Sequence, residues 1–191
     1  MEEIQIRTGL RSLSDIMFDQ FFDHSKEPRP PEQKFYIQGK NQLFFPSLNI
    51  MAFLFNQKGD SCVNKFEGKK RRDYYAIGFS HITISPMFIP FKNKEGKTIL
   101  FSNFDDGLFY IMNSAPTTKL SGGGYIKQEA KPRPVLKMPW ALEFEIHLFK
   151  NPLINEIKLR NWFENGGLII GLGTYRPLFG RFMVEKWEVK K

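Results

Sequence analysis

One stretch near the C-terminal end combines glycines with arginines, and this combination suits the binding of phosphate groups. The stretch runs Gly171-Leu172-Gly173-Thr174-Tyr175-Arg176-Pro177-Leu178-Phe179-Gly180-Arg181-Phe182. Glycine lets a backbone approach a ligand closely, so chain amides and the guanidinium groups of Arg176 and Arg181 can donate hydrogen bonds to phosphate oxygens. We call residues 171–181 the glycine-rich loop. The alternative is a tight hairpin in which the glycines serve only the turn.

The positive charge of the chain is concentrated in two other segments. The 191 residues include 28 Lys and Arg against 20 Asp and Glu, for a net charge of +8. Residues 57–72 carry six basic and two acidic side chains, and residues 114–139 carry five and one. Gly, Ser and Pro residues in both segments predict long loops. Basic loops favour a polyanion, because each phosphate contact releases condensed counterions, although they could also serve only solubility.

The residues that we expect to contact nucleic acid are basic or belong to the glycine-rich loop. They are Lys69, Lys70, Arg71, Arg72, Lys119, Lys127, Lys131, Arg133, Gly171, Gly173, Tyr175, Arg176, Gly180 and Arg181. Four tyrosines flank basic or glycine-rich stretches, where an exposed ring could stack on a base or, alternatively, belong to the core. They are Tyr74, Tyr75, Tyr125 and Tyr175.

Histidines and paired carboxylates offer a different chemistry. The three histidines are His24, His81 and His147. His147 shares a predicted strand face with Glu143 and Glu145, which could perform acid–base catalysis or form a solvated sheet surface. Asp15 and Asp19 have the spacing of one helix face and could hold a cation or simply face solvent. No nucleophile elbow or His/Cys metal spacing is present, so we expect no catalytic residue, metal or cofactor.

Hydrophobic patterning predicts a mixture of strands and helices. The expected elements are a strand at 4–8, a partial helix at 13–22, a hairpin at 34–45, a helix from Ser47 to about Asn56, strand-like residues 76–89, strands at 98–101 and 108–112, a strand at 140–149, a helix capped by Asn151 and closed by Gly166-Gly167, a strand at 168–170 and a strand at 182–189. The predicted fold is α+β, a ferredoxin-like or RRM-like antiparallel sheet with two main helices. We expect one domain over residues 1–191, with long basic loop insertions near 57–72 and 114–139.

Several classes of protein are not indicated. The most apolar window, residues 47–55, is too short to span a bilayer, and the acidic N-terminus lacks a secretory signal pattern. Cys62 is the single cysteine, so no internal disulfide can form. The glycine-rich loop is neither a P-loop nor a Rossmann loop, because no Gly-Lys-Ser/Thr follows and the next predicted element is a strand. We therefore expect a soluble cytoplasmic protein without a membrane partner.

The pattern Gly-x-Gly-x-x-Arg-x-x-Phe-Gly-Arg-Phe at residues 171–182, after a helix and a short apolar strand, resembles the glycine-rich loop of the RAMP superfamily. These proteins are ferredoxin-like, RNA-binding subunits of CRISPR effector complexes and their relatives. A looser match covers Phe35-Tyr36-Ile37 to Phe45-Pro46-Ser47-Leu48, which resembles the strand and helix start of backbone-type members. The chain is similar to a compact relative, of a kind that a virus or mobile element could encode.

The resemblance implies that single-stranded RNA, or single-stranded DNA, lies on the protein. Residues 171, 173, 176, 180 and 181 would contact its backbone, and residues 69–72 and 119–137 would be mobile loops that clasp it. Other protein subunits or copies of the chain would be its partners in a cytoplasmic ribonucleoprotein complex. Two alternatives stay open: a virus-encoded inhibitory or interaction factor that binds a protein complex, and an endoribonuclease of the same fold that uses a histidine.

Overall fold

The computed structural model describes residues 2–20, 29–114, 117–119, 125–127 and 130–190, so His24 lies outside the described residues. The strands are β1 (Glu3–Ser12), β2 (Ile16–Met17), β3 (Ile37–Gln38), β4 (Gln42–Pro46), β5 (Ile82–Ser85), β6 (Phe88–Lys92), β7 (Phe109–Ser114), β8 (Thr117–Lys119), β9 (Tyr125–Lys127), β10 (Lys131–Leu136), β11 (Ala141–Phe149) and β12 (Phe182–Lys190). The α-helices are α1 (Ser47–Phe55), α2 (Cys62–Phe66), α3 (Arg71–His81) and α4 (Glu156–Ile169), and short 3-10 turns occupy Pro31–Lys34 and Gly68–Lys70.

The central sheet has the ferredoxin-like strand order. Strand β1 lies between β12 and β11, β5 pairs with the other edge of β11, and all of these pairings are antiparallel. Helices α1 to α3 connect β1 to β5, and α4 connects β11 to β12. This β-α-β-β-α-β arrangement confirms the predicted α+β, ferredoxin-like fold. Strands β6, β4 and β3 extend the sheet beyond the end of β11.

Alternation of side chains gives the central strands one buried face. In β11, Leu142, Phe144, Ile146 and Leu148 are buried while the residues between them are more exposed. The helices cover this buried face, because the ring centroid of Phe163 in α4 lies 6.0 Å from that of Phe144. A strand buried on one side has a hydrophobic period of two, so the sequence pattern predicted β11 correctly.

The opposite face of the sheet is open and carries paired charges. Glu145 of β11 accepts from Arg7 of β1 at 3.2 Å and from Lys190 of β12 at 2.8 Å, and Lys92 contacts Glu143 at 2.6 Å. RRM domains stack bases on rings at the corresponding face. Across the described strands of this protein, the open face is instead a network of ion pairs, so the chemistry for stacking must lie elsewhere.

Residues 57–72, predicted to be a basic loop, contain helix α2 and the start of helix α3. The strand expected over residues 76–89 is also wrong for residues 76–81, which belong to α3. The reason is packing: a Cβ at Gly78 would lie within 2.4 Å of the Phe55 ring. The glycine allows α3 to approach α1 closely, and this contact supports a helix that local propensity does not favour.

Helix α4 begins and ends later than its sequence pattern predicts. Asn155 caps it by accepting from the Lys158 amide at 2.8 Å, whereas Asn151 accepts from the Ile154 amide at 2.6 Å in the preceding turn. Gly166 and Gly167 lie inside the helix, so the strand predicted at 168–170 is wrong. A Cβ at Gly167 would lie 2.5 Å from the carbonyl oxygen of Phe182, which explains a glycine pair within a helix.

Three further segments differ from their predicted forms. Residues 98–101, predicted to be a strand, instead form isolated bridges, Thr98 with Lys92 and Leu100 with Gln42. Residues 13–22 were expected to be partly helical, but residues 16–17 form β2, and Asp15 accepts from the Tyr110 hydroxyl at 3.0 Å. Residues 131–136, predicted to be part of a basic loop, form β10, which pairs with β2 and β7 in a second sheet. This second sheet lies beside the glycine-rich loop through a bridge between Met17 and Thr174.

A carboxylate connects helix α4 to the residues after α2. Glu67 accepts from Lys158 at 3.0 Å and from the Trp162 indole at 2.9 Å. Burial alone would raise the pKa of Glu67, but the hydrogen bonds from Lys158, Tyr74 and Trp162 outweigh burial and lower this pKa. Because the pKa of Glu67 is lower in the folded state than in the unfolded state, ionised Glu67 stabilises the fold at pH values above its ordinary pKa. The protein loses this stabilisation as the pH falls through the folded-state pKa.

The substitution Glu67→Gln is therefore expected to destabilise the protein at neutral pH by about 1–3 kcal/mol, since it removes a charge that accepts several hydrogen bonds. The wild type should lose stability as the pH falls below the ordinary Glu value of 4.5, and the variant should lose less. Urea unfolding over a pH series measures both effects. Parallel stability curves for the two proteins would show that Glu67 does not carry this acid dependence.

Candidate nucleic-acid interface

The glycine-rich loop is folded tightly back on itself and onto the neighbouring chain. Gly171, Gly173 and Gly180 have φ angles of 78°, 78° and 75°, a region that favours glycine. The Leu172 amide donates to the Gly180 carbonyl at 2.9 Å, and the Thr174 amide donates to a β2 carbonyl at 3.0 Å. A Cβ at Gly180 would lie 1.8 Å from the carbonyl oxygen of Leu172. These three positions therefore require glycine for closure of the loop.

Several amides of the loop already have protein acceptors. The amides of Gly171, Leu172, Thr174, Phe179 and Gly180 all donate to backbone carbonyls. Gly171 and Gly180 are also buried. A phosphate would have to displace these internal bonds, so the observed geometry supports the interpretation that the glycines shape the loop. The phosphate-binding chemistry of the loop then falls on its two arginines.

Arg176 projects from the loop into a cleft of about 310 Å³ between the loop and α1. Its guanidinium donates to the Gly171 carbonyl at a long distance of 3.5 Å. Burial lowers the pKa of Arg176, and the charge of Asp60 acts in the opposite direction. Among the described residues, no carboxylate forms an ion pair with this guanidinium. A half-buried cation without an ion-pair partner, beside an open cleft, is a favourable site for an anion.

Arg181 lies at the exposed end of the same loop. Its backbone amide is already occupied within the protein, because it donates a hydrogen bond to the Ser14 hydroxyl at 2.9 Å. Its side chain is exposed and donates through Nε to the Pro177 carbonyl at 2.8 Å. This bond orients the guanidinium across the loop, where it can contact a second phosphate.

Arg133 and Tyr175 are placed inside the protein. Arg133 is buried and forms an ion pair with Asp19 at 2.8 Å. The Tyr175 ring stacks over this guanidinium at 5.3 Å and packs against Met17 and Phe179. Its hydroxyl is buried and has no hydrogen-bond partner among the residues that the structure describes. Both residues, expected to contact nucleic acid directly, are positioned to hold the glycine-rich loop against the second sheet.

The basic residues 69–72 lie on the exposed surface where α3 begins. Arg71 and Arg72 line a shallow depression of about 600 Å³ together with Gln57 and Phe79. The Phe79 side chain is 57% exposed. Sequence reasoning missed Phe79 because its segment was predicted to be a strand. Once α3 is recognised as a helix, the spacing of Arg72, Ala76 and Phe79 places them on one helical face.

Two neighbouring residues after α1 line the cleft and the depression. Asn56 lines the cleft beside Arg176, and the next residue, Gln57, lines the depression beside Arg72 and Phe79. We call the surface from Arg176 past residues 56–57 to Phe79 the basic track. It offers guanidinium groups for phosphates and an exposed ring for a base, which are the two contacts that single strands require.

The remaining predicted basic residues belong to the second insertion. Lys131 is exposed at the start of β10. Lys119 and Lys127 belong to β8 and β9, which pair with each other as a separate hairpin. Their contact with nucleic acid stays a prediction.

The histidines have other partners than those predicted. His147 Nδ1 lies 2.5 Å from a Glu3 carboxylate oxygen, and its Nε2 lies 3.4 Å from the Ser85 hydroxyl. Glu143 and Glu145 are instead paired with basic side chains. His81 Nδ1 lies 2.7 Å from the Ser80 hydroxyl. Across the described residues, no group of three or more His, Cys, Asp or Glu side chains could hold a metal ion.

Comparisons with known proteins find similarity in fold and none in sequence family. Neither a protein-family model nor a curated protein matches the sequence. The whole chain superposes on a chain of the type III-B Cmr-beta complex, solved by cryo-EM with cognate target RNA bound, with a TM-score of 0.55 and 11% identity. It covers 61% of that chain, which is less than two thirds of its length. At this identity the similarity is one of fold.

Within the described ranges, no helix is both long enough and apolar enough to cross a membrane. The cytoplasmic location stays a prediction.

Proposed function

We propose that the protein is a RAMP-type module that binds single-stranded RNA along the basic track. The observation that carries the proposal is the half-buried guanidinium of Arg176, which faces an open cleft and has no carboxylate within ion-pair distance among the described residues. The ferredoxin-like topology and the likeness to a chain of an RNA-bound Cmr complex support it. Single-stranded DNA is the other ligand that the same phosphate chemistry could accept.

The bound strand would use two kinds of contact. Arg176 and Arg181 would hold phosphates at the glycine-rich loop, and the exposed cluster of residues 69–72 would hold phosphates farther along the strand. Phe79 would stack on a base between these ends, since stacking accepts any sequence. The buried Arg133 and Tyr175 would act by holding the loop in place.

We also propose that protein partners assemble around this module in a ribonucleoprotein complex. Three apolar side chains are exposed together where α1 begins: Leu48 at 70%, Met87 at 64% and Phe88 at 45%. The Ser47 amide donates to the Met87 carbonyl at 2.9 Å, which places these residues side by side. An exposed apolar group of this kind is typical of a contact between subunits.

Neutralising the cluster at residues 69–72 by substitution with glutamine is expected to weaken binding of labelled single-stranded RNA. The slope of log affinity against log salt should fall by about 0.7 for each phosphate contact that is lost. Fluorescence anisotropy over a salt series measures this slope for RNA, DNA and duplex.

A matched control neutralises four other exposed basic residues that line neither the cleft nor the depression: Lys40, Lys94, Lys97 and Arg160. Equal losses in both variants would mean that overall charge, and not the basic track, determines binding. Weak, salt-insensitive binding by the wild type would instead favour the alternative of an interaction factor for a protein complex.

A second candidate function is an endoribonuclease, favoured by one observation. Glu3 fixes the orientation of His147 and leaves its Nε2 beside the Ser85 hydroxyl, so the imidazole could act as a general base. Because His147 lies on the open sheet face, away from the basic track, His147→Asn is expected to keep RNA affinity within about twofold. Gel analysis of incubated RNA tests catalysis: cleavage by the wild type that disappears in this variant would establish the endoribonuclease.

A further inference from the structure

We propose that the cleft beside Arg176 holds a single nucleotide of the bound strand, turned out of the stack, and that it selects the base. The phosphate would lie at Arg176, and the base would lie against Tyr36 and Asn49 deeper in the cleft. This inference rests on the proposed function and adds to it a site for base recognition.

The cleft has the dimensions and lining of a small-ligand site. Its volume of about 310 Å³ lies at the lower end of the range for ligand pockets, about 300–1,000 Å³. Helix α1 supplies one wall through Asn49, Ala52 and Asn56, which are three and four residues apart and therefore share one helical face. The small Ala52 between two carboxamides leaves room for a planar group.

Asn49 is the polar residue that α1 places on this wall. Most of the helix is buried and apolar, including Ile50, Phe53 and Leu54. Asn49 donates to the Tyr36 hydroxyl at 3.2 Å. A carboxamide carries both donors and acceptors, and this combination matches the edge of a nucleobase.

Tyr36 is held as a fixed aromatic surface in the cleft. Its ring centroid lies 5.9 Å from that of Phe44 and 6.4 Å from that of Phe18. A ring held by other rings loses little freedom when a base stacks on it. The hydrogen bond from Asn49 to the Tyr36 hydroxyl therefore connects the ring on which a base would stack to the carboxamide that would contact the edge of the base.

Gly173 belongs to the opposite wall, in close contact with β2. A Cβ at Gly173 would lie 2.6 Å from the Met17 carbonyl oxygen, so glycine is required at this position. The hydrogen bond that the Thr174 amide donates to the same carbonyl holds this wall against β2. Arg176 extends from the same wall, which places a cation beside a cavity whose other lining residues, among those that the structure describes, include one charged group, Asp19. Since Asp19 is already paired with Arg133, a phosphate at Arg176 does not face an unpaired carboxylate there.

The test compares short homopolymeric RNAs of each base with an abasic ribose-phosphate strand of the same length. The abasic strand lacks the bases for both the cleft and Phe79, so the wild type is expected to bind one homopolymer at least about 5-fold more tightly than the abasic strand, and more tightly than the other homopolymers. The substitutions Asn49→Leu and Asn49→Ser should each reduce the preference among bases while leaving the salt slope unchanged. The matched control Asn165→Leu alters an exposed asparagine on α4 that bonds only to its own helix, and should change neither quantity.

A second measurement observes the cleft directly. Titration with each nucleoside 5′-monophosphate is expected to shift the side-chain amide NMR signals of Asn49, and ribose 5-phosphate should shift them less. RNA binding with equal affinity for all homopolymers, unaffected by either Asn49 substitution, would overturn the base site and leave the proposed function standing. Absence of RNA binding at any salt concentration would overturn both.

Discussion

Replacing Arg176 with glutamine is expected to lower the affinity for single-stranded RNA by about 10- to 150-fold, because a hydrogen bond to a charged group contributes about 1.5–3 kcal/mol. The salt slope should fall by about 0.7, corresponding to one phosphate contact. Thermal stability should stay unchanged or rise slightly, since burial lowers the pKa of Arg176 and so disfavours the charged form in the fold. Anisotropy and thermal unfolding measure the two effects separately.

The matched control for this substitution is Arg160→Gln. Arg160 is exposed on α4 and is paired with Glu164 at 2.8 Å, one helical turn away, so its loss removes the same formal charge outside the basic track. RNA affinity should change little in this variant. If both substitutions reduced affinity equally, Arg176 would have no specific role in binding.

Replacing Gly180 with alanine is expected to destabilise the protein by at least about 3 kcal/mol, which combines backbone strain with overpacking. Its φ of 75° disfavours any side chain, and the new Cβ would lie 1.8 Å from the Leu172 carbonyl oxygen. The melting temperature should fall by about 6–12 °C or more for a chain of this size. Calorimetry of the purified variant measures this change, and RNA affinity should fall with it because the loop positions Arg176.

Gly96→Ala separates the two causes. Gly96 has a φ of 77°, nearly that of Gly180, but no atom lies within 4 Å of the added Cβ. Its substitution should therefore cost only the strain of about 1–3 kcal/mol. A similar loss of stability in both variants would show that contact with Leu172 adds nothing and that the loop closes more loosely than described.

The central strands could be predicted from sequence because burial on one face leaves a visible period of two. Strands β1 and β11 follow it, and α1 follows Pro46 as its pattern indicates. These elements are determined largely by local pattern. The ferredoxin-like prediction rested on the C-terminal elements, including a strand at 168–170 that the structure replaces with the end of α4, and on the resemblance to the RAMP superfamily.

The elements that were predicted wrongly depend on close contacts between distant segments. Gly78 lies inside α3 because the Phe55 ring occupies the space of a side chain, and Gly166 lies inside α4 because Cys62 and Phe53 do the same. In sequence each glycine resembles a helix end or a loop. Only the packing partner, far away along the chain, shows that the helix continues.

Only part of the candidate site could be predicted, because the rest also depends on contacts between distant segments. The arginines of the glycine-rich loop follow from its motif, and the structure places Arg176 in a cleft. The ion pair that buries Arg133 depends on Asp19, which lies more than a hundred residues away. Tyr36 and Phe79 were missed because their neighbours in the basic track come from segments that no local pattern connects.

Crosslinking tests the central claim most directly, because it detects both binding and its location. Single-stranded RNA containing photoreactive uridine would be irradiated with the wild-type protein, and the modified peptides would be identified by mass spectrometry. The basic track predicts crosslinks in the peptides that contain Tyr36, Arg176 and Phe79, with none on the open sheet face around His147. Crosslinks confined to that open face, or none at any position under low-salt conditions, would contradict the account.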